Sequence, residues 1–234
     1  MVTGAGAGIG RAVALALAAR AWRVVMCDVD GDALARTTAA VGGDAVAIEA
    51  DIASDEALAA MVRRAEQGGP LGAVIHCAAI FPRIDLADTR IADFDRVMAV
   101  NLRAAVQLTL HAASAMRDGG ALIFLTSGSG LMTAAGDPFQ QGFALYGASK
   151  AALDRWVAGV AGELAPAGIF ASTITPGAFV ETPGLSRAGV TPPPGASTIT
   201  AERVAEAITR LVEDRSGIYA GKRLSAAAFG QSWH

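Results

Sequence analysis

Short apolar runs along this chain alternate with longer segments in which apolar residues recur every three or four positions. The short runs, rich in Val and Ile, predict strands, and the longer Ala-rich segments predict helices. The predicted strands are residues 24–28, 45–50, 73–77, 121–126, 169–174 and 223–226. The predicted helices are residues 9–20, 32–41, 54–67, 89–116, 145–164 and 201–212. This alternation predicts an α/β fold, a doubly wound sandwich with a mostly parallel sheet of about seven strands and helices on both faces.

Some segments fall outside this regular alternation. Residues 131–144 and 181–200 lack periodicity and are predicted to be loops.

Ser54, followed by two acidic residues, is a predicted helix N-cap. Only Met1 and Val2 precede the first glycine-rich segment, so the first strand is predicted to be very short.

Composition narrows the class of protein. The chain has 234 residues, 53% of them hydrophobic and 18% charged, with a net charge of -3. We expect one domain over residues 1–234, with no basic surface for nucleic acid and no metal site. Cys27 and Cys77 form no C-x-x-C pair, which favours a reducing cytoplasm. Arg20 and Arg23 interrupt the longest apolar run, so no membrane span is predicted.

A glycine-rich segment, Thr3-Gly4-Ala5-Gly6-Ala7-Gly8-Ile9-Gly10, stands between the first short strand and the first helix. Glycine permits the tight turn, the approach of backbone to a pyrophosphate and close packing of helix on sheet. Amides at the start of the helix supply an anion site. The spacing is T-G-x-x-x-G-x-G rather than G-x-G-x-x-G. A glycine and alanine turn without a ligand is the alternative interpretation of this segment alone.

Asp28 ends the second predicted strand, about 20 residues beyond Gly8. A carboxylate there can accept hydrogen bonds from an adenosine ribose, and it would repel the 2′-phosphate of NADP. The residue therefore favours NAD as cofactor. The alternative role for Asp28 is a helix cap.

Tyr146 and Lys150 stand at positions i and i+4 of a predicted helix, so both side chains face one pocket. A secondary alcohol loses hydride only when its hydroxyl proton is accepted, and a free tyrosine has a pKa near 10. A neighbouring ammonium and a positive nicotinamide ring can together lower that pKa. We therefore predict Tyr146 as general acid/base.

Together, T-G-x-x-x-G-x-G and Y-x-x-x-K make the chain resemble the short-chain dehydrogenase family, over nearly the whole length from Thr3 to about Leu224. The resemblance implies a Rossmann-like domain in which Lys150 also holds the nicotinamide ribose. It implies a serine that orients the substrate oxygen, matched here by Ser127, with Ser129 kept open. It also implies that Asn101 supports a proton relay. The remaining cofactor positions that it implies are Thr3, Gly4, Gly8, Ile9, Gly10, Asp51, Ile52, Pro176, Gly177 and Thr182.

Two segments depart from the family pattern. The family usually has N-N-A-G after the fourth strand, where this chain has His76-Cys77-Ala78-Ala79, and alanine does not adopt glycine's dihedral angles freely. The family's common D-G-G near the C-terminus is replaced by Ala227-Ala228-Phe229-Gly230. We expect His76 to be a structural histidine with its hydrogen bonds satisfied.

These residues predict an NAD-dependent oxidoreductase that transfers hydride between NAD and a secondary alcohol or its ketone. The alternative is a catalytically silent NAD-binding sensor or scaffold protein. Apolar residues beside the predicted site favour an apolar small-molecule substrate. Leu153, Trp156 and Val160 on the helix of Tyr146 favour a homodimer or homotetramer. The pocket candidates are Phe81, Ser129, Met132, Phe139, Phe143 and Phe179.

Overall fold

The computed structural model describes residues 1–132, 137, 140–192 and 194–231, and alternating strands and helices fill this part of the chain. The strands are β1 (Val2–Thr3), β2 (Val25–Asp28), β3 (Val46–Glu49), β4 (Ala73–His76), β5 (Gly120–Leu125), β6 (Ile169–Thr175) and β7 (Arg223–Ser225). The helices are α1 (Gly8–Ala18), α2 (Gly31–Val41), α3 (Asp55–Glu66), α4 (Ile91–Met98), α5 (Ala104–Ala115), α6 (Ala144–Leu164), α7 (Pro183–Arg187) and α8 (Ala201–Glu213).

Within the described residues, the strands form one parallel sheet of seven, in the order β3-β2-β1-β4-β5-β6-β7. The predicted α/β Rossmann-like fold is confirmed. The order changes direction between β1 and β4, and a cleft opens at the carboxyl ends of strands where such a reversal occurs. β1 is as short as predicted, with Val2 paired to Met26 on one side and Ile75 on the other.

Helices cover both faces of the sheet and bury a separate apolar core on each. Residues of α1 and α8, with Leu34 of α2, pack over one face. Residues of α3, α5 and α6 pack over the other face. The inner strands are buried on both sides, which explains why they appear in the sequence as continuous apolar runs rather than alternating ones.

The predicted helix over residues 89–116 is interrupted. α4 ends at Met98, a π-helical segment spans Ala99–Arg103, and α5 continues to Ala115. The wider turn inserts one extra residue per turn, a feature that is frequent at functional sites. Asn101 lies in this segment and is completely buried.

The predicted loop over residues 181–200 contains the short helix α7, so that prediction was wrong in part. Thr182 caps α7 by accepting a hydrogen bond from the backbone N–H of Leu185 at 3.3 Å. The predicted cap of α3 is confirmed, because the Ser54 hydroxyl accepts from Ala57 N–H at 3.3 Å. None of the helices in the described part of the chain has both the length and the apolar composition of a membrane span.

Candidate active site

A cavity of about 940 Å³ opens at the carboxyl ends of the central strands. Its walls include the glycine-rich turn on one side and the Tyr146 helix on the other. The two sequence motifs, separated by more than a hundred residues, therefore line one space. A cavity of this size fits a ligand of dinucleotide dimensions.

The glycine-rich turn requires glycine at the positions where backbones meet. A Cβ on Gly4, which has a φ of 67°, would lie 2.8 Å from the backbone nitrogen of Ala78. A Cβ on Gly10 would lie 2.0 Å from the carbonyl oxygen of Gly4. The turn is therefore pressed against both its own helix and the segment after β4.

At the start of α1, backbone N–H groups are available to donate hydrogen bonds to a ligand. Its N-cap residue, Ala7, has no side-chain cap, and its first turn holds no acidic residue. Backbone N–H groups in this position attract an anion such as a pyrophosphate. Gly8, Ile9 and Gly10 line the cavity there, whereas Thr3 is fully buried behind it. The residues present thus fit a dinucleotide.

Asp28 lies at the carboxyl end of β2 and lines the cavity. Its Oδ2 accepts from Gly6 N–H at 2.8 Å, and its Oδ1 accepts from Asp30 N–H at 3.0 Å. Asp30, not Asp28, caps α2 by accepting from Ala33 N–H at 2.9 Å. The helix-cap interpretation of Asp28 is therefore wrong, and its carboxylate is held at the cavity wall by the glycine-rich turn.

Asp51 and Ile52 also line the cavity, after β3. Asp51 Oδ1 accepts from Ala53 N–H at 2.9 Å, and Oδ2 pairs with Arg96 Nη1 at 3.0 Å. These hydrogen bonds, the backbone one first, lower the pKa of Asp51. Arg96 was missed in the sequence analysis because it lies 45 positions away with no motif around it.

Tyr146 is held among aromatic side chains. Phe81 and Phe143 contact its ring edge-on, with centroids 5.8 and 6.3 Å away. Burial raises the pKa of Tyr146, and a hydrogen bond to the side chain of Ser127 opposes that rise. The Ser129 backbone N–H donates to Ser127 Oγ at 3.2 Å. The structure therefore brings Ser127 to the phenol and makes Ser129 a support for Ser127.

Lys150 is almost completely buried one helical turn from Tyr146. Its Nζ donates to the Leu125 carbonyl at 2.8 Å and lies 5.8 Å from the centroid of the Tyr146 ring. Burial lowers the pKa of Lys150 to about 8, and the nearby acidic groups of Cys77 and Asp154 act in the opposite direction. The ammonium stands close enough to stabilise a phenolate.

Asn101 ties the π-helical segment to the loop after β4. Its Nδ2 donates to the Ile80 carbonyl at 2.7 Å, and its Oδ1 accepts from Ile80 N–H at 2.8 Å. The same Nδ2 lies 3.0 Å from the hydroxyl of Ser149 on α6. Asn101 thus holds the cavity wall in place and lies next to the helix of Tyr146.

The departure from N-N-A-G is accommodated without backbone strain. Among the non-glycine residues described, only Ala21 has a positive φ, so Ala79 fits where the family usually has glycine. His76 Nδ1 lies 3.0 Å from the Thr3 hydroxyl, which joins β4 to β1. Its Nε2 has no partner among the described residues, so the expectation of a fully satisfied histidine was wrong. Burial lowers the pKa of His76 to about 3, which keeps the ring neutral.

The turn after β6 closes the far wall of the cavity. Gly177 has a φ of 74°, and a Cβ there would lie 2.0 Å from the Ser225 hydroxyl. Thr182 approaches the glycine-rich turn, since a Cβ on Gly8 would lie 3.1 Å from its methyl group. Pro176, Gly177 and Thr182 therefore face the turn across the cavity.

The substrate-pocket candidates do not all lie in the cavity. Phe81, Ser129, Phe143 and Phe179 line it. Met132 is fully exposed and is not among the lining residues, so that prediction was wrong. Phe139 lies outside the described residues.

One group of residues beside the site was not expected from the sequence. Asp154 Oδ2 accepts from the Thr126 hydroxyl at 3.0 Å and pairs with Arg223 Nε at 3.0 Å. Arg223 Nη2 donates to the Ser127 carbonyl at 2.9 Å. Asp154 follows Lys150 by four positions, and this spacing was the signal in the sequence from which its place beside the site could have been predicted. The described residues contain no cluster of metal ligands.

Fold and site together define a dinucleotide-binding oxidoreductase. A family model described as short chain dehydrogenase matches residues 1–189. The chain belongs to the short-chain dehydrogenase family, whose members act on CH–OH groups with a nicotinamide dinucleotide.

Curated relatives and solved structures agree with this assignment. A (3R)-3-hydroxyacyl-CoA dehydrogenase from Mus musculus is 32% identical over 195 residues, 78% of this chain and 74% of the mouse protein. Versicolorin reductase 1 from Aspergillus parasiticus is 34% identical over 184 residues, covering 76% and 68% of the two chains. A short chain dehydrogenase structure from Burkholderia cenocepacia, in complex with NADP, is 29% identical, with a TM-score of 0.84 and coverage of 97% and 96%.

Gly10→Ala is expected to weaken NADH binding by at least about tenfold, because its methyl group would push the Gly4 carbonyl out of the turn. It should also destabilise the fold by about 1–3 kcal/mol. Gly162→Ala is the matched control, since that helical glycine has open space around a Cβ. NADH fluorescence titration and thermal unfolding measure both effects. Equal behaviour of the two variants would contradict the prediction.

Proposed function

We propose that this protein catalyses reversible hydride transfer between NAD and a secondary alcohol or its ketone. Tyr146 exchanges the hydroxyl proton, Ser127 orients the substrate oxygen, Lys150 tunes Tyr146 and holds the nicotinamide ribose, and Asn101 supports the relay. The observation that carries the proposal is that Ser127, Tyr146 and Lys150 line the same cavity as the glycine-rich turn.

The proton chemistry follows from the surroundings of Tyr146. Burial favours the neutral phenol, so Tyr146 is protonated at neutral pH and can donate a proton to a ketone oxygen. In the oxidative direction the phenolate is needed, and the Ser127 hydroxyl together with the Lys150 ammonium stabilises it. The bound nicotinamide supplies or accepts the hydride.

Asp28 supports NAD rather than NADP. Its carboxylate stands at the cavity wall, anchored by two backbone N–H groups. The cavity-lining cations in the described residues are Lys150, Arg96, Arg187 and Arg223, and Arg96 and Arg223 are each paired with an acid. A 2′-phosphate beside Asp28 would meet a negative charge. The relative with bound NADP makes this specificity a point to test.

The alternative, a catalytically silent NAD-binding sensor or scaffold, was suggested by the missing N-N-A-G. The unstrained backbone at Ala79 removes much of that argument. A binding protein has no need of a serine, a half-buried tyrosine and a buried lysine together in one cavity. Turnover of any secondary alcohol with NAD distinguishes the two functions.

The walls around Tyr146 support an apolar substrate. Phe81 and Phe143 flank the phenol, and Phe179, Leu185 and Val190 continue this apolar surface within the cavity. Burial of apolar substrate surface against such walls favours binding and keeps water away from the proton transfer. We therefore propose ketones with apolar substituents as the first compounds to screen.

The cysteines support a reducing compartment. Cys27 is buried in β2, and Cys77 borders the cavity, and both are free thiols. Burial raises the pKa of both to about 12, so neither is a reactive thiolate at neutral pH. We accordingly propose a cytoplasmic setting.

Tyr146→Phe is expected to lower kcat by about 10²–10⁴-fold, because it removes the hydroxyl that is proposed to exchange the proton. NADH affinity should stay within about threefold of the parent value. Tyr219→Phe is the matched control, since the chain has only two tyrosines and Tyr219 packs on the core beneath the other face. Initial rates and nucleotide fluorescence report the two effects. Loss of NADH binding together with turnover would contradict the assigned role.

NADH should bind the parent protein more tightly than NADPH. Asp28→Asn should weaken NADH binding about tenfold through loss of a charged acceptor, and should strengthen NADPH binding through loss of repulsion. Asp32→Asn, an exposed acid on the first turn of α2, is the control and should change neither affinity. Fluorescence titrations with both nucleotides measure this. A parent protein that prefers NADPH would refute the NAD assignment.

A homodimer or homotetramer is expected in solution. Leu153, which the oligomer prediction invoked, is buried in the protein's own core. The exposed apolar side chains of Ile91 and Phe94 on α4 and Leu110 on α5 now support the proposal. Light scattering at micromolar concentration measures the mass, and a monomer would be the contrary result.

A further inference from the structure

The chain is held at three successive residues, Leu125 to Ser127, where β5 ends and the next turn begins. Lys150 Nζ binds the carbonyl of Leu125 at 2.8 Å. Asp154 binds the hydroxyl of Thr126 at 3.0 Å. Arg223 binds the carbonyl of Ser127 at 2.9 Å. Two of these three contacts come from the Asp154–Arg223 ion pair, which the proposed proton chemistry does not use.

The turn after Ser127 packs on α6 at Gly130, where a Cβ would lie 3.0 Å from the backbone nitrogen of Ala151, but it is open next to Ser127 itself. Ser127 is extended, and a glycine-rich 3₁₀ turn, Gly128–Gly130, follows it. A Cβ on Gly128 would meet nothing within 4 Å. A serine in such surroundings can shift unless other groups fix its backbone.

The Asp154–Arg223 pair is placed to fix it. Arg223 lies on β7, two strands from β5, and reaches across the end of β6. Asp154 lies on α6, one turn beyond Lys150. The side chain of Arg223 is only 26% exposed and that of Asp154 only 17%, so each charge depends on the other for its stabilisation. Arginine can serve both partners because its guanidinium offers several donors in one plane.

We infer that the Asp154–Arg223 ion pair positions Ser127 against Tyr146. This inference rests on the proposed acid/base role of Tyr146. Asp154 and Arg223 are positioning residues, because they act on the strand end rather than on the reacting atoms. Displacement of Ser127 by even about 1 Å is expected to lower turnover strongly.

Kinetics test the pair against a matched control. Arg203 has the same arrangement on α8, pairing with Glu206 at 2.7 Å and donating to the Phe229 carbonyl at 2.7 Å, and it is not among the cavity-lining residues. Arg223→Met should lower kcat by at least about tenfold and leave the Kd for NADH within about threefold. Arg203→Met should change kcat less than about twofold. Equal effects of the two variants on kcat would overturn the inference.

A conservative variant keeps the test valid if Arg223→Met unfolds. Arg223→Lys retains the charge that faces Asp154, but an ammonium on a single stem cannot repeat the planar fork that reaches both partners. It should fold and show a smaller fall in kcat than Arg223→Met, again without a matching change in KM. Parent-like kcat in Arg223→Lys together with a folded, parent-like Arg223→Met would overturn the inference.

A titration of Tyr146 tests the same inference without any substrate. In a Tyr219→Phe background Tyr146 is the only tyrosine, so the ultraviolet absorbance of tyrosinate reports it alone. Arg223→Met should raise the Tyr146 pKa by about 0.5–1 unit, the equivalent of one lost hydrogen bond to the phenolate. Adding Arg223→Met to Ser127→Ala should cause no further rise, since the group being positioned is already absent.

A charge-neutral double variant separates position from charge. Asp154→Asn with Arg223→Met removes both charges, and the Tyr146 pKa should still rise because Ser127 is released. A pKa that returns to the parent value in the double variant would show a charge effect and overturn the inference. The titration is run with and without NAD and needs no substrate. If the parent protein shows no turnover, the proposed reaction is refuted, but the positioning of Ser127 can still be measured through the pKa of Tyr146.

Discussion

Parallel pairing of the two-residue strand β1 with both β2 and β4 is the constraint on which the rest of the site depends. It sets the glycine-rich turn beside the segment after β4, where a Cβ on Gly4 would collide with Ala78. It also brings the Thr3 hydroxyl to His76. Because the chain order reverses beside this strand, the carboxyl ends of β1 and β4 open into one cleft instead of being covered by a connecting helix.

Burial of polar groups gives this cleft its chemistry and carries the main energetic cost. Lys150, Asn101 and His76 lie away from water and Tyr146 is half-buried, and burial shifts the pKa of the lysine and histidine downward and of the tyrosine upward. For most of these groups, hydrogen bonds to backbone carbonyls or hydroxyls at strand ends offset the cost of burial. Those bonds also hold the loops, so the same contacts that make burial tolerable align the reacting groups.

Substitution of the usual N-N-A-G by His76-Cys77-Ala78-Ala79 illustrates how the surrounding structure absorbs a local change. Asn101 holds both backbone groups of Ile80, so the loop keeps its course without a glycine at residue 79. The energetic cost appears at the buried His76, whose Nε2 has no hydrogen-bond partner in the part of the chain that the structure describes. Departure from a motif therefore does not imply loss of the site when a neighbouring helix supplies the missing constraint.

By itself the sequence determined the fold class, the short first strand, most strand positions and the T-G-x-x-x-G-x-G and Y-x-x-x-K motifs. These are local features, set by periodicity and by the spacing of residues on one helix or turn. Only the tertiary structure decided that Ser127 rather than Ser129 reaches Tyr146, that Asp30 caps α2, and that helix 89–116 breaks at Asn101. The partnership of Asp154 with Arg223 was equally hidden, because side chains 69 positions apart meet only after α6 has packed on the sheet that contains β7.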